Sequence, residues 1–221
     1  MLIMSLSSEP KQRLARARAS LEGTATGDAF GQTFFSPEIY NEDPLTALAT
    51  APWFWTDDTA MALSVYETLE KHGKIDQDLL AGSFAARYIN DRNRGYGPGM
   101  HQLLLKIADD ADWRTESRKQ FSDQGSWGNG SAMRVAPLGA YFADDLAEAA
   151  SQAALSAEVT HAHQEGIAGA VALALGAGIA AAATDEVQTL TPRDLLLQIF
   201  EATPDSITRD RHTPCRTSSR W

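Results

Sequence analysis

Residues 166–183 of the chain read GIAGAVALALGAGIAAAA, a run of 18 residues that contains no charged side chain. Nine of them are Ala and four are Gly, and only five are Ile, Leu or Val. The length is at the lower limit for a membrane span, but small side chains gain little free energy on leaving water. They do allow neighbouring helices to approach closely. The run therefore predicts a buried central helix, with a membrane-spanning helix as the alternative.

The rest of the sequence also favours helices. Ala occurs 36 times, against 5 Val and 9 Ile, so the predicted fold class is all-α. A length of 221 residues, at about 150 residues per domain, favours a single domain. Apolar residues at helical spacing predict helices near residues 9–30, 57–72 and 76–92, a short one ending near 108, and further helices near 130–142, 144–159, 163–183 and 192–202.

The remaining segments are expected to be irregular. Residues 31–55 contain three prolines, and residues 109–130 are polar without an apolar stripe. Pro137 should kink the helix over 130–142 or mark its early turns. Residues 205–221 carry four arginines and no helical stripe, so we expect a disordered tail that follows a helical domain over 9–204.

The charge balance and the cysteine content exclude several classes of protein. The formal net charge is −10, and a field of that sign repels phosphate backbones, so general nucleic-acid binding is not expected. Cys215 is the single cysteine, which excludes an internal disulfide and favours a reducing cytoplasm. At the N-terminus, apolar residues precede the basic ones, which is the wrong order for a secretory signal.

Two segments carry carboxylates in unusual surroundings. Asp28 lies among small residues in GTATGDAFG, residues 23–31, where it could be a functional acid or a capping residue on a packing face. Thr56, Asp57 and Asp58 follow three aromatic residues at a predicted helix start. They could cap that helix and complement its dipole, or they could bind Mg²⁺ or Mn²⁺, which prefer oxygen ligands. Because adjacent helical residues point about 100° apart, the two carboxylates suit two neighbouring ions better than one.

Three further segments could bind a ligand. Residues 125–134 read GSWGNGSAMR, a glycine-rich loop that enters a helix and could bind phosphate through its backbone N–H groups, or be a plain turn. His161 and His163 lie two residues apart, so they diverge on a helix, and local hydrogen bonding is the alternative to a ligand role. The third segment, a glycine-rich turn, covers residues 94–99.

The order of these motifs is more specific than any one of them. GDAFG (27–31), WTDDTAMAL (55–63), RGYGPG (94–99), GSWGNGSAMRVAPLG (125–139) and THAH (160–163), followed by the Ala/Gly run, together resemble the ADP-ribosylglycohydrolase family over about residues 12–183. The resemblance implies an all-α hydrolase that cleaves ADP-ribose from a modified protein side chain or a related small conjugate. It also implies a dinuclear Mg²⁺ or Mn²⁺ centre.

The resemblance assigns roles to individual positions. Thr56, Asp57 and Asp58 match metal ligands, and both aspartates, with Asp28 near the scissile bond, match acidic residues of the catalytic centre. His161 matches a histidine of the ligand cleft. The remaining matches are substrate-binding loop residues, namely Gly95, Tyr96 and Gly97 beside the ribose and Gly125, Ser126, Trp127, Gly128 and Asn129 around the pyrophosphate.

The sequence departs from the family pattern at its C-terminal end. The family completes its metal site with a later Gly-Asp-x-Asp-Thr segment, but residues 184–221 contain no Asp-x-Asp-Thr. We therefore expect weak binding of at most one ion, and we interpret the Arg-rich tail as a truncated or frame-shifted end. A non-catalytic ADP-ribose-binding or structural protein and a metal phosphohydrolase are the alternatives.

Overall fold

The computed structural model describes residues 6–35, 51–183 and 191–211. These ranges contain ten α-helices and two 3₁₀ turns but no strand, which confirms the all-α fold class. The helices are α1 (Pro10–Gln32), α2 (Asp57–His72), α3 (Gln77–Asn90), α4 (Pro98–Ala108), α5 (Trp113–Asp123), α6 (Ala136–Tyr141), α7 (Leu146–Glu158), α8 (Gln164–Ala182), α9 (Pro192–Ala202) and α10 (Ile207–Arg211). The 3₁₀ turns are Thr33–Phe35 and Asn129–Ser131.

Helix α8 carries the Ala/Gly run and lies at the centre of the packing. It contacts α6 and α7 most extensively, and also α9 and the Asn129–Ser131 turn. A Cβ atom at Gly139 of α6 would overlap the carbonyl group of Ala174 in α8, so these two backbones touch. This close approach is what the small residues of the run predicted.

The alternative for this run was a membrane span. Within the described ranges, α8 alone has the length and apolar character that a membrane crossing requires, and half of that stretch is buried inside the protein. Residues such as Val171 and Leu175 are fully buried, whereas Leu173 points outward and is 43% exposed. The buried half supports the core-helix interpretation.

Ionic contacts fix the first helix to the centre of the fold. The carboxylate of Asp144, which follows α6, accepts hydrogen bonds from Arg13 Nε at 3.0 Å and from Arg16 Nη2 at 2.7 Å. Its side chain is only 7% exposed, so these ion pairs are shielded from water and hold α1 against α6. Helix α1 also packs on α2, which places Asp28 beside the start of that helix.

Three predicted segments differ from the structure. Helix α5 lies within the stretch expected to be irregular. It is capped by Asp112, which accepts from the backbone of Arg114 and Thr115, and it buries Trp113 and Ser117 only. A helix with so little apolar surface leaves no stripe in the sequence.

The predicted helix over 130–142 begins later than expected. Residues 129–131 form a 3₁₀ turn, and α6 starts at Ala136 with Pro137 in its first turn, which is one of the two positions considered. Pro137 cannot donate a backbone hydrogen bond, so it favours a helix start at this point.

The expected disorder from residue 205 onward does not hold for α10. The carboxylate of Glu165 in α8 accepts from the backbone N–H groups of Ile207 and Thr208, both at 2.8 Å. These two bonds satisfy donors at the start of α10, and so order a segment that has no apolar stripe of its own. Residues 212–221, including Cys215, lie outside the described residues, as do residues 36–50 of the predicted loop.

Candidate active site

The start of α2 is held by a carboxylate from α1. Asp28 accepts four hydrogen bonds, from Thr56 N at 2.8 Å, Thr56 Oγ1 at 2.7 Å, Thr59 N at 3.2 Å and Thr59 Oγ1 at 2.5 Å. Two of these donors are backbone N–H groups at the helix start, where a negative charge is favoured by the dipole. Asp28 therefore caps a neighbouring helix, which goes beyond the local capping considered from sequence.

Thr56 is the N-cap of α2, as the sequence suggested. Its hydroxyl donates to Asp28 and accepts from the backbone N–H of Asp58 at 3.3 Å. The two carboxylates that follow diverge around the helix start. Asp57 lines two adjoining cavities, whereas Asp58 lines one of them.

Burial and mutual repulsion disfavour the charged forms of both carboxylates. Desolvation, followed by the charge of Asp58, raises the pKa of Asp57 from its ordinary value to about 6. Desolvation, followed by the charge of Asp28, also raises the pKa of Asp58. A cation placed between these groups would relieve both effects.

The donors at this helix start fit a hard divalent cation in kind. A hydroxyl and two carboxylates are oxygen ligands of the type that Mg²⁺ and Mn²⁺ prefer. They do not make a full shell, since no three His, Cys, Asp or Glu side chains converge as metal ligands anywhere in the described ranges. Among the described residues, oxygen donors of this type therefore come from one helix start only.

The glycine-rich turn at 94–99 lies across from α2. Gly95 has a φ of +89°, and a Cβ atom there would lie 3.6 Å from Oδ1 of Asp57. The backbone N–H of Asp57 donates to the carbonyl of Arg94 at 2.6 Å, so this turn fixes the position of the aspartate. Gly95 and Gly97 each line a cavity.

Tyr96 is the one predicted binding residue that the structure places in the core. Its ring is 5% exposed and packs edge-on against Tyr88, with the centroids 5.1 Å apart. Desolvation, followed by the charge of Asp57, raises its pKa to about 12. Its sequence neighbours line the cleft because their backbone, not a side chain, reaches it.

The Gly125–Asn129 loop is shaped by close contact with the start of α8. Gly125 has a φ of +76°, and a Cβ atom there would lie 2.7 Å from the backbone nitrogen of His163. The loop ends in the Asn129–Ser131 turn, where Ser131 Oγ donates to the carbonyl of Gly166 at 2.7 Å. Only glycine fits at position 125, so the close approach explains its place in the motif.

The two histidines lie between α7 and α8, not on a helix as the predicted divergence assumed, and they make different contacts. His163 caps α8, because its Nδ1 accepts from the backbone N–H of Glu165 at 3.1 Å. His161 is 4% exposed and lines a cavity with Gly128 and Gly130. Burial, followed by the charge of Arg134, lowers the pKa of His161 to about 3, so the ring is neutral at neutral pH.

These segments line two adjoining cavities, which together are called the cleft. The first, of about 190 Å³, is lined by the glycine loop, the 97–100 turn and His161. The second, of about 470 Å³, is lined by α1 and the acidic start of α2. Asp57 and Asn129 line both, so the cavity beside the predicted phosphate loop adjoins the cavity beside the predicted metal ligands. Asp28, Asp58 and Gly95 face the second cavity, and Ser126 and Gly128 face the first.

Sequence reasoning missed three residues of this site. Phe121 lines the first cavity and is 53% exposed. Its ring packs at an angle of 42° against Trp127, which is 51% exposed, with the ring centroids 5.0 Å apart. Gln120 lines the same cavity and donates to the carbonyl of Thr160 at 2.7 Å. Arg134 lies fully buried behind the glycine loop. The aromatic residue four positions before the loop was the available signal for Phe121.

Known proteins are similar to this sequence over most of its length. The profile of the ADP-ribosylglycohydrolase family matches residues 9–219, which includes the Arg-rich tail. Human ADP-ribosylhydrolase ARH3 is 32% identical over 183 residues, which cover 76% of this chain and 50% of that protein. ADP-ribosylarginine hydrolase Tri1 of Pseudomonas putida (strain GB-1) is 28% identical over 198 residues, which cover 83% of this chain and 51% of that protein.

The matches cover most of this chain but only part of each relative. The chain spans about half the length of the curated relatives it matches. Within that half, the family profile covers the acidic helix start, the glycine loop and His161, the same segments that the fold brings to one cleft. The chain therefore belongs to the ADP-ribosylglycohydrolase family.

Proposed function

We propose that this chain binds ADP-ribose in the joined cleft and hydrolyses its glycosidic bond to an acceptor, either a modified protein side chain or a small conjugate. The observation that carries the proposal is the shared lining of the two cavities by Asp57 and Asn129. A ligand that spans both cavities meets a loop suited to a diphosphate at one end and carboxylates at the other.

The glycine loop is the proposed diphosphate site. Gly128, Asn129 and Gly130 line the first cavity. Asn129 begins a 3₁₀ turn, and the first backbone N–H groups of such a turn have no hydrogen-bond acceptor from a preceding turn. Such N–H groups are fixed donors for phosphate oxygens and carry no side chain that would block close approach. The ligand's diphosphate would lie between this loop and the start of α4, at residues 97–100.

The exposed aromatic pair is the proposed nucleobase platform. Phe121 lines the first cavity, and its ring packs at an angle of 42° against that of Trp127. Exposed aromatic rings beside a phosphate loop provide π surfaces on which a base can stack, at about 1–3 kcal/mol per base. This arrangement directs the distal ribose toward the second cavity.

The acidic helix start is the proposed reaction centre. Asp57 or Asp58 would orient the attacking water or accept its proton, because both carboxylates face the second cavity. Asp28 would act nearby, from its position bonded to Thr56 and Thr59. We propose that Thr56, Asp57 and Asp58 would hold Mg²⁺ or Mn²⁺, which would supply Lewis-acid chemistry at this end of the ligand. A cytoplasmic setting, where ADP-ribosylated proteins would be the partners, is part of the same proposal.

The binding step is tested by calorimetry with ADP-ribose. Gly128→Leu places a side chain toward His161 Nε2, which lies 3.5 Å from a Cβ atom at this position, so affinity should fall at least tenfold. Gly82→Ala is the matched control, because nothing lies within 4 Å of a Cβ atom there, and it should leave affinity unchanged. Equal affinity in the wild type and Gly128→Leu would reject the loop assignment.

The chemical step is tested by the products released. An ADP-ribosylated peptide is incubated with the chain and Mg²⁺ or Mn²⁺, and the nucleotides are separated by chromatography. Free ADP-ribose is the expected product, and Asp57→Asn should abolish its release. AMP as the main product would mean cleavage at the pyrophosphate, and binding without any product would favour a non-catalytic role.

A further inference from the structure

Arg134 is a buried cation without a carboxylate partner. Its side chain is fully buried, and no Asp or Glu in the described ranges forms an ion pair with it. It donates instead to the carbonyls of Gly130 at 3.1 Å and Ser156 at 2.6 Å, and its guanidinium lies 4.4 Å from the ring centre of Phe84. Buried charges are costly, and an anionic group usually offsets the cost. Such a placement indicates that the positive charge of Arg134 has a role other than forming an ion pair.

A line of hydrogen bonds connects this cation to the cleft. Nη1 of Arg134 donates to the hydroxyl oxygen of Thr160 at 2.8 Å, and that hydroxyl lies 2.7 Å from Nδ1 of His161. The guanidinium has no lone pair to offer, so the direction of the first bond is fixed. The direction of the second bond then depends on where the hydroxyl proton of Thr160 points.

That proton has one available acceptor. In the part of the chain that the structure describes, the Thr160 hydroxyl forms hydrogen bonds only with Arg134, which is a donor, and with Nδ1 of His161. If Nδ1 carried a hydrogen, the hydroxyl would accept twice and its own proton would be buried without a partner, at a cost of about 1–3 kcal/mol. Thr160 therefore donates to Nδ1, and the single ring proton of the neutral imidazole lies on Nε2.

The Nε2 edge of the ring faces the ligand cavity. A Cβ atom on Gly130 would lie 2.8 Å from Nε2 and one on Gly128 would lie 3.5 Å away, so this edge lies against the two glycines of the proposed diphosphate loop. His161 itself lines the cavity, and its Nε2 has no hydrogen-bond partner among the described residues. The side chain thus has a hydrogen bond at Nδ1 and an Nε2 that is available to a ligand.

We propose that Arg134 and Thr160 are positioning residues that hold His161 as the Nε2–H tautomer, so that its ring donates to an oxygen of the anionic ligand. The opposite tautomer would present a lone pair to that oxygen and repel it. The tautomer stands on the hydrogen bonds alone, while the ligand it serves rests on the proposed function. Arg134 also keeps the ring neutral, since its charge and the burial of the site together lower the pKa of His161.

The tautomer is tested by nitrogen NMR on the chain labelled with ¹⁵N-histidine, at neutral pH and without ligand. The His161 signals are assigned by their loss in His161→Gln. In the wild type, Nε2 should show the shift of a protonated ring nitrogen and Nδ1 that of an unprotonated acceptor. A wild-type ring protonated at Nδ1 would overturn the proposal.

The role of Thr160 is tested by two substitutions of similar size. Thr160→Val removes the hydroxyl but keeps the branched shape, and it should shift His161 to a mixture of tautomers. Thr160→Ser keeps the hydroxyl and should restore the wild-type spectrum. An unchanged Nε2–H tautomer in Thr160→Val would show that the hydroxyl does not select it.

The dependence of ligand affinity on the tautomer is tested by titrating the same proteins with ADP-ribose. Thr160→Val should bind about tenfold more weakly, which corresponds to about 1.4 kcal/mol, and Thr160→Ser should match the wild type. Wild-type affinity in Thr160→Val would overturn the ligand role of the donor. A wild type with the Nε2–H tautomer but no affinity for ADP-ribose would instead reject the proposed ligand and leave the tautomer assignment standing.

Discussion

Asp28 joins two helices through one side chain, so its charge matters to folding as well as to chemistry. In Asp28→Asn, an NH₂ group replaces one acceptor oxygen and faces donors on Thr56 and Thr59. Charge-assisted hydrogen bonds are lost, and we expect the free energy of unfolding to fall by about 1–3 kcal/mol, measured by urea denaturation. Glu22→Gln is the control, because this side chain on the same helix is 66% exposed and its ion pair with Arg18 contributes little. Equal losses of stability in both variants would contradict the proposed role of Asp28 in joining the two helices.

His161 should make the protein less stable in acid. Its pKa is about 3 in the folded state and about 6.5 when unfolded, so below pH 6.5 the unfolded chain takes up a proton that the folded chain does not. The stabilisation from the neutral ring is thus complete above pH 6.5 and is lost as the pH falls toward 3. The difference in unfolding free energy between wild type and His161→Gln should shrink by up to about 1.4 kcal/mol per pH unit in that window. A constant difference from pH 7 to 4 would mean that the folded ring titrates normally.

The sequence identifies residues whose chemistry is local and misses those whose role depends on burial. Thr56 and Asp57 were recognisable because an N-cap followed by acids is a local pattern. Arg134 was not, because arginine is expected at the surface and nothing nearby in sequence shows a fully buried guanidinium. Phe121 was missed because it lies in a polar stretch, and its exposed ring gains meaning only from contact with Trp127.

At the level of secondary structure, α6 and α8 depend on the absence of side-chain atoms at their contact. In Gly139→Ala, the added Cβ would overlap the carbonyl of Ala174, so the helices must separate and the core beside Leu138 and Leu175 loosens. Overpacking of this kind costs about 1–3 kcal/mol of stability, measured as a lower denaturation midpoint. In Gly82→Ala on α3, the added atom meets open space, and the gain in helix propensity should raise stability by about 0.5–1 kcal/mol. Equal midpoints for the two variants would show that the α6–α8 contact tolerates an extra atom.

The accuracy of the predicted helices follows how many apolar residues each helix contains at helical spacing. Helices α2 and α9 begin and end where their apolar spacing predicted, at Asp57–His72 and Pro192–Ala202. Helix α5 is polar and buries two residues, so periodicity could not reveal it. Helix α10 is ordered by Glu165, more than 40 residues earlier in the chain, and no local pattern could predict that bond.

On the scale of the whole molecule, the cleft depends on distant segments meeting at the start of α2. The motifs predicted one site only through their combined order, since residues 28, 57, 95 and 129 are far apart in sequence and share one cavity in the fold. Their chemical types were visible in the sequence. Their proximity follows from α1 packing on α2, which the sequence alone did not predict.

The completeness of the metal site is also a property of the whole molecule. Thr56, Asp57 and Asp58 come from one helix start, and no other acidic, histidine or cysteine side chain in the described ranges completes a group of three ligands with them. Mg²⁺ demands near-octahedral geometry and otherwise keeps several waters, so a tight dinuclear site needs oxygen ligands from a second segment. We expect the 221-residue chain to hold at most one ion, weakly, and to release ADP-ribose far more slowly than a relative that carries a Gly-Asp-x-Asp-Thr segment.

Elemental analysis after gel filtration gives the metal stoichiometry, and product release from an ADP-ribosylated peptide gives the turnover. Appending a segment with Gly-Asp-x-Asp-Thr from a relative should raise both, because its carboxylates would supply the second side of the shell. The same segment with both aspartates changed to asparagine is the control and should restore neither. Two tightly held ions and full turnover in the unaltered chain would contradict the prediction, because other residues would then have to complete the shell.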